Sequence, residues 1–247
     1  MKQAMIFAAG LGTRLKPLTD SIPKALVRVG GQPLLWHVVM RLKASGFERV
    51  VVNVHHFAEQ IVDYLSENQN FGLDIRISDE TSMLLETGGG IRKALPMFDE
   101  NSPILIHNVD ILSNVDLASL YDHAGNYDAT LLVSRRTTKR YLLFDDAMLL
   151  RGWTNVDTRE VRSPISNVNV DSMNMLAFSG IHVIAPPMLQ LLNNMPDRFG
   201  IIDFYLKYCD RHAIHGYAKA DLQLMDVGKI ETLDHAEAFL SALEKKE

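Results

Sequence analysis

The chain has 247 residues, of which 47% are hydrophobic and 22% charged, with a formal net charge of −5. That balance suits one globular α/β domain and excludes a disordered chain, and the negative charge argues against a nucleic-acid surface, which demands clustered Lys and Arg. Apolar stretches such as Ile104 to Ile106 and Ile181 to Ile184 fall far short of the roughly 20 residues that cross a bilayer.

In chain order, Ala4 to Ala9 is a short apolar run ending at Gly10, the pattern of a parallel strand buried on both faces that opens into a loop. It follows Met1-Lys2-Gln3 without the longer apolar stretch of an export signal, so a cytoplasmic location is expected. Pro33 to Ala44 places Leu35, Val38, Val39 and Leu42 at helical spacing, and Ser45-Gly46 ends the helix. Val50 to Val54 predicts a second buried strand, Ala58 to Leu65 a helix and Leu73 to Ile77 a third strand. This alternation is the mark of βαβ units and a parallel sheet covered by helices. A helix over Gly90 to Met97 and strands over Ile104 to His107 and Ala129 to Ser134 continue it.

The texture then changes, because Tyr141 to Phe144 and Met148 to Trp153 flank Asp145-Asp146-Ala147 as a hairpin. This predicts a small antiparallel insert near residues 138–165, packed on the core. A strand over Met175 to Ile184, a helix from Pro186-Pro187, a helix around Asp203 to Cys209, a strand over Ile214 to Ala218 and a helix over Ile230 to Glu244 complete the chain. No Pro/Ser-rich linker interrupts it, so one domain over residues 1–247 is expected. Cys209 is the lone cysteine; it forms no intramolecular disulfide, and its neighbours Phe204, Leu206 and Tyr208 point to burial without a role. The charged end from Glu244 to Glu247 is expected to be solvated.

The loop after the first strand carries the first chemical signal: Gly10-Leu11-Gly12-Thr13-Arg14, then Pro23-Lys24. Glycines let a backbone approach a phosphate closely, and Arg14 and Lys24 add charge-assisted donors, so the loop is a candidate triphosphate cradle. A P-loop needs four residues between its glycines and a terminal Gly-Lys-Ser/Thr, which Gly10 and Gly12 do not supply. A dinucleotide fingerprint needs a third glycine where Leu15 stands and an acid near the end of the second strand, where the chain reads Asn53-Val54-His55-His56. An NAD-linked dehydrogenase is therefore disfavoured. Adjacent side chains on an extended backbone point apart, so His55 and His56 read as loop residues and not as a metal pair.

The whole string from Gly10 to Thr19 with Pro23-Lys24 resembles the signature of the sugar-1-phosphate nucleotidyltransferase family. Leu85-Glu86-Thr87-Gly88-Gly89-Gly90, Asp110 past a strand, Phe178-Ser179-Gly180-Ile181-His182 and Met225-Asp226-Val227-Gly228 fall in the family's order. The resemblance implies a Rossmann-like three-layer α/β/α sandwich with a mostly parallel sheet, the nucleotide-diphospho-sugar transferase fold. It is closest to the N-acetylmuramate 1-phosphate uridylyltransferase and the mannose or heptose 1-phosphate guanylyltransferase branches. The implied reaction joins a nucleoside monophosphate from a nucleoside triphosphate to a sugar 1-phosphate and releases pyrophosphate, with UTP and N-acetylmuramate 1-phosphate the first choice and a GTP-dependent reaction the second. A catalytically weak, sugar-nucleotide-sensing relative is the rival of another class.

The nucleotide is then expected over Ala9, Gly10, Gly12 and Thr13, with Arg14 near the β- and γ-phosphates and Lys24 near the reacting phosphates. Two anions must approach each other, so catalysis is positioning plus neutralisation, and Mg²⁺ takes one or two protein carboxylates with phosphates and water completing its shell. Asp110 and Asp226, each at a strand end, are the expected ligands. Gly88 and Gly89, at a helix entrance, are candidates for the base or ribose. Glu86 contacts the base or sugar, or caps that helix. Gly180 and His182 are candidates for the sugar, although a lone histidine in an apolar strand also reads as core. Partners beyond the nucleotide and sugar 1-phosphate are neither nucleic acid nor membrane, and a homodimer is left open.

Three positions depart from the family pattern. Val109 stands where glycine often precedes the first acid, a middle-region Glu-Lys-Pro is missing between Tyr141 and Pro164, and Lys229 replaces a threonine after Gly228. Lys229 reads as a solvated residue at a helix start or as a phosphate contact.

Overall fold

The computed structural model describes residues 1–244. Its central strand, β1 (Lys2–Phe7), alternates between two cores: Ala4 and Ile6 face one, Met5 the other, and all three are fully buried. That two-sided burial is why an unbroken apolar run makes a central strand. The short strands β2 (Arg28–Val29) and β3 (Gln32–Pro33) lead into helix α1 (Leu34–Ala44). This helix sinks Leu34, Leu35, Val38, Val39 and Leu42, each at most 1% exposed, for roughly 1.5–3 kcal/mol per side chain. Gly46, with φ near 79°, then turns the chain.

β4 (Phe47–Val54) pairs in parallel with β1, and β5 (Asp74–Asp79) pairs in parallel with β4 across helix α2 (Ala58–Glu67). Helix α3 (Glu86–Ala94) leads to β6 (Ile104–Asn108), which pairs in parallel with the other side of β1. Then come β7 (Ile111–Ser113), α4 (Leu117–His123) and β8 (Ala129–Ser134). β9 (Arg140–Phe144), β10 (Leu150–Asn155) and β11 (Glu160–Arg162) follow as antiparallel neighbours.

The long strand β12 (Asn174–Ile184) joins these parts, running antiparallel to β6, β8 and β9. The segment near 138–165 thus extends a single ten-stranded sheet. β12 changes register between Phe178 and His182, and Gly180 there has φ near 74°, a left-handed backbone that favours glycine. Helices α5 (Pro186–Gln190) and α6 (Ile201–Tyr208) precede β13 (Ile214–Ala218), which pairs in parallel with β8. The short β14 (Leu224–Asp226) pairs antiparallel with β7, away from the main sheet, and α7 (Ile230–Glu244) follows.

Helices α1, α2, α4 and α7 pack in the core that takes Ala4 and Ile6, while α3, α5 and α6 pack in the core that takes Met5. The result is the expected α/β/α sandwich. No described helix is long and apolar enough to cross a membrane. Two expectations change. Helix α3 begins at Glu86 and not at Gly90, so its three glycines lie inside the helix, where each costs about 1 kcal/mol relative to alanine. Residues 245–247 and the side chain of Glu244, expected to be a solvated charged end, lie outside the described residues.

Candidate active site

The loop leaving β1 folds on itself through Gly12. Its carbonyl accepts the Leu15 N–H at 2.8 Å and the Thr19 hydroxyl at 2.8 Å, while its φ is near 64°. A Cβ at this position would lie 2.8 Å from Thr19 Cγ2 and 3.1 Å from Lys24 Cβ, so glycine is required for the close approach. Fully buried Leu15 anchors the loop to the core. Gly10 and Thr13 are exposed, and no heavy atom lies within 4 Å of where a Gly10 Cβ would sit. This part of the loop is open to a ligand.

Lys24 is 8% exposed, and a buried ammonium needs a partner. Its Nζ donates to Asp110 Oδ2. Asp110 lies in the turn between β6 and β7, and the β7–β14 ribbon sets Asp226 opposite Ile111, with the Val227 N–H donating to the Asp110 carbonyl at 2.8 Å. Two acids remote in sequence become neighbours.

The Asp226 carboxyl is raised above its ordinary range by desolvation among the surrounding protein atoms, although the residue itself is open to solvent, and then by the negative charge of Asp110. Lys24, Arg14 and Arg136 pull it back. Arg14 enters from the glycine loop: a Cβ at Gly228 would meet Asp226 Oδ1 at 2.6 Å and Arg14 Nη2 at 2.7 Å. The guanidinium and the carboxylate flank one point that only a glycine leaves free. Arg14, Lys24, Asp110 and Asp226 therefore form one constellation, with Gly12 against Lys24.

Other expected residues lie differently. Gly88 and Gly89 are buried, and both backbone N–H groups donate to the Phe199 carbonyl, at 2.9 and 3.2 Å. A Gly88 Cβ would fall 2.2 Å from the Phe199 ring and a Gly89 Cβ 2.7 Å from the Asp197 carbonyl oxygen. They let the 197–199 loop pack on α3, and their amides are used within the protein. Glu86 opens α3 at φ near 62° and pairs with Arg198 at 3.0 Å on the surface.

His182 lies in the core. It is 1% exposed, its Nδ1 shares a hydrogen bond with the Tyr205 hydroxyl, and burial pushes its pKa down to about 3. It is a neutral core residue. Gly180 stays near the acids, because a Cβ there would meet Asn108 Nδ2 at 2.7 Å, and Asn108 precedes Asp110 by two residues.

The remaining sequence candidates resolve simply. Val109 is 4% exposed in the core and its N–H donates to the Phe7 carbonyl at 3.2 Å. Lys229 lies exposed at the start of α7, its carbonyl and N–H both bonded to the Thr232 hydroxyl. His55 Nδ1 bonds the Glu80 carbonyl at 2.7 Å, while His56 packs on Phe57. Buried Cys209 has its thiol pushed up to about 11, chiefly by burial, and is inert.

Three residues were not anticipated. Asn53 Oδ1 accepts the Ala8 and Ala9 N–H groups at 2.8 and 3.3 Å, and its Nδ2 donates to fully buried Glu80 at 2.7 Å. Asn53 had been visible only as the strand end that lacks an acid. Arg136, beyond β8, donates to the Phe178 carbonyl at 3.0 Å and its charge reaches Asp226; no local pattern marks it.

A nucleotidyl transferase family model matches residues 3–141. The chain is 49% identical over 111 residues to N-acetylmuramate alpha-1-phosphate uridylyltransferase of Caulobacter vibrioides, covering 44% of this chain and 46% of that protein. It is 42% identical over 125 residues to the enzyme of that name from Neisseria meningitidis serogroup B, covering 50% and 53%. The aligned stretch thus spans about half of each relative. A mannose-1-phosphate guanyltransferase of Yarrowia lipolytica is 26% identical over 99% of this chain and 66% of its own length. Among solved structures, the inositol-1-phosphate CTP transferase from T. maritima superposes with a TM-score of 0.77 at 16% identity, covering 99% and 97% of the two chains; it supports the fold.

Proposed function

The chain belongs to the nucleotidyl transferase family, and from that membership we propose that it transfers UMP from UTP to N-acetylmuramate 1-phosphate, releasing pyrophosphate. The observation that carries the reaction class is the meeting of Asp110 and Asp226 with Lys24 and Arg14 beside an open glycine loop. The choice of uridylyl and N-acetylmuramyl groups is supported by the two bacterial relatives at 49% and 42% identity.

In this reading a phosphate oxygen of the sugar 1-phosphate attacks the α-phosphorus of the nucleotide. A new P–O bond forms as the bond to pyrophosphate breaks. The nucleophile is already anionic, so no side chain abstracts a proton, and charge is the main barrier. Arg14 and Lys24 offset that charge. Arg14 sits at the loop that cradles the triphosphate, and Lys24, held by Asp110, presents an oriented ammonium to the reacting phosphates. The loop from Gly10 to Thr13, exposed at Gly10, Leu11 and Thr13, lies beneath the phosphates in this reading.

The donors fit magnesium: two neighbouring carboxylates offer hard oxygen ligands, and the Asp226 carboxyl, raised first by desolvation and then by the charge of Asp110, is one whose ionised form a divalent cation would favour. Asp110 and Asp226 would hold the ion, which supplies charge neutralisation at the phosphates when bound.

The test is a matrix of UTP, GTP, CTP and ATP against N-acetylmuramate, mannose, heptose and glucose 1-phosphates with Mg²⁺, read as pyrophosphate release. Turnover highest with UTP and N-acetylmuramate 1-phosphate is expected. Preference for GTP and mannose 1-phosphate would favour the alternative that the Yarrowia lipolytica relative supports. Binding of a sugar nucleotide without turnover of any pair would make the chain a sensor.

A further inference from the structure

Ala8 and Ala9 end the strand that feeds the phosphate loop, and their N–H groups can only donate. Both point at one atom, Asn53 Oδ1, at 2.8 and 3.3 Å. This fixes the orientation of the Asn53 amide, because its oxygen must face these donors and its nitrogen must face away. The nitrogen donates at 2.7 Å to Glu80 Oε1. Position 80 must therefore offer an acceptor, and an ionised carboxylate is acceptor-only.

The other carboxylate oxygen, Oε2, accepts the Leu85 N–H at 3.0 Å, and the Glu80 carbonyl accepts the Met83 N–H at 3.0 Å. Glu80 thus folds the segment Thr81 to Leu85 into a closed loop. It is itself fully buried, while Thr81, Ser82 and Met83 are exposed. The third glycine of the triplet belongs to this arrangement. A Cβ at Gly90 would lie 2.8 Å from Glu80 Oε1 and 3.4 Å from Asn53 Nδ2. No larger residue leaves room for the relay.

We propose that Asn53 and Glu80 are positioning residues for the nucleotide: a buried relay from the Ala8 and Ala9 amides through Asn53 and Glu80 to the Leu85 amide holds the strand end that feeds the phosphate loop in fixed register with the 81–85 loop. The proposal rests on the nucleotidyl-transfer reading above. A buried, fully satisfied polar chain suits such a role, because each member has one hydrogen-bonding answer and a mismatch costs the full desolvation of a buried group. The relay touches no reacting atom. It acts through the backbone of the two loops, on nucleotide affinity more than on the chemical step.

The donor–acceptor logic supplies the test. Glu80→Gln turns a donor toward either Asn53 Nδ2 or the Leu85 N–H, and flipping Asn53 only moves the clash to the Ala8 and Ala9 amides. Asn53→Asp sets two carboxylates against each other. The double variant Asn53→Asp/Glu80→Gln restores the match, since the aspartate accepts from Ala8, Ala9 and the glutamine amide, and the glutamine oxygen accepts from Leu85. Each single variant is expected to raise the KM for UTP by about 10-fold with the KM for the sugar 1-phosphate within about 2-fold, and the double variant to return most of the loss.

An unchanged KM for UTP in Glu80→Gln overturns the proposal. So does a double variant that regains the wild-type Tm but not the nucleotide affinity, which would make the relay purely structural. If the wild type releases no pyrophosphate with any nucleotide, the functional reading is what fails. The relay is then judged by amide hydrogen exchange: protection at Ala8, Ala9 and Leu85 should fall in Glu80→Gln and return in the double variant, and unchanged protection in Glu80→Gln contradicts it.

Discussion

The Val227 N–H donates to the Asp110 carbonyl at 2.8 Å, closing the β7–β14 ribbon beside the two acids. One backbone hydrogen bond thus ties the loop that carries one carboxylate to the loop that carries the other. Val227→Pro removes the donor and leaves both side chains in place, while Val227→Ala keeps it. Both lose core volume, because Val227 is fully buried. We expect Val227→Pro to lose at least about 10-fold more turnover than Val227→Ala under conditions where circular dichroism shows both folded. Equal activities would remove this bond from the assembly of the site.

Asp226 couples function to stability with opposite signs. Its carboxyl is raised, first by desolvation and then by Asp110, so between the ordinary aspartate pKa and the raised one the folded state binds more protons than the unfolded state. Stability therefore falls as pH rises through that window and stays lower at neutral pH. Asp226→Asn is expected to raise the Tm at pH 7 in the absence of magnesium and nucleotide while abolishing turnover, with the Tm gain vanishing below the ordinary aspartate pKa. A lower Tm at pH 7 would contradict the assigned charge environment.

The core histidines give a second pH signature. Burial lowers His182 and His107 to about 3, so below the ordinary histidine pKa the unfolded state takes up protons that the folded state refuses. Stability is full above that pKa and is lost as pH falls toward 3, by about 1.4 kcal/mol per pH unit for each imidazole. His182→Gln keeps a hydrogen-bonding group for Tyr205 without the titration. Its urea unfolding should show a shallower loss between pH 6 and 4, with the KM for the sugar 1-phosphate unchanged. A large rise in that KM would assign His182 to the sugar site.

Gly88 tests the packing of the 197–199 loop on α3. With the Phe199 ring 2.2 Å from where a Cβ would sit and Phe199 5% exposed, the ring has little room to move. Gly88→Ala is expected to lower stability by about 1–3 kcal/mol, despite alanine's better helix propensity. Thermal unfolding measures this; a Tm at or above the wild type would mean that the 197–199 loop does not pack there.

What was legible in the sequence follows from these same contacts. β1 and β8 announce themselves as short apolar runs buried on both faces and α1 by its 3.6-residue period, each a property of the segment alone. The acids were legible through the motif resemblance, but the reason they meet was not. β7 and β14 are three residues each, too short for a period, and they pair across more than a hundred residues. Gly88 and Gly89 read as a helix entrance because glycine is a poor helix former, and only the Phe199 and Asp197 contacts place them inside α3. Asn53, Glu80 and Arg136 carried no pattern, since their roles come from partners that the fold brings to them.

The most direct test is the rate of pyrophosphate release by the wild type and by Asp110→Asn, each with UTP, N-acetylmuramate 1-phosphate and Mg²⁺. The wild type should turn over, and Asp110→Asn should lose about 10²-fold or more while keeping a cooperative thermal transition. An Asp110→Asn protein that releases pyrophosphate at the wild-type rate would contradict the account, because the paired carboxylates would then be no part of the chemistry.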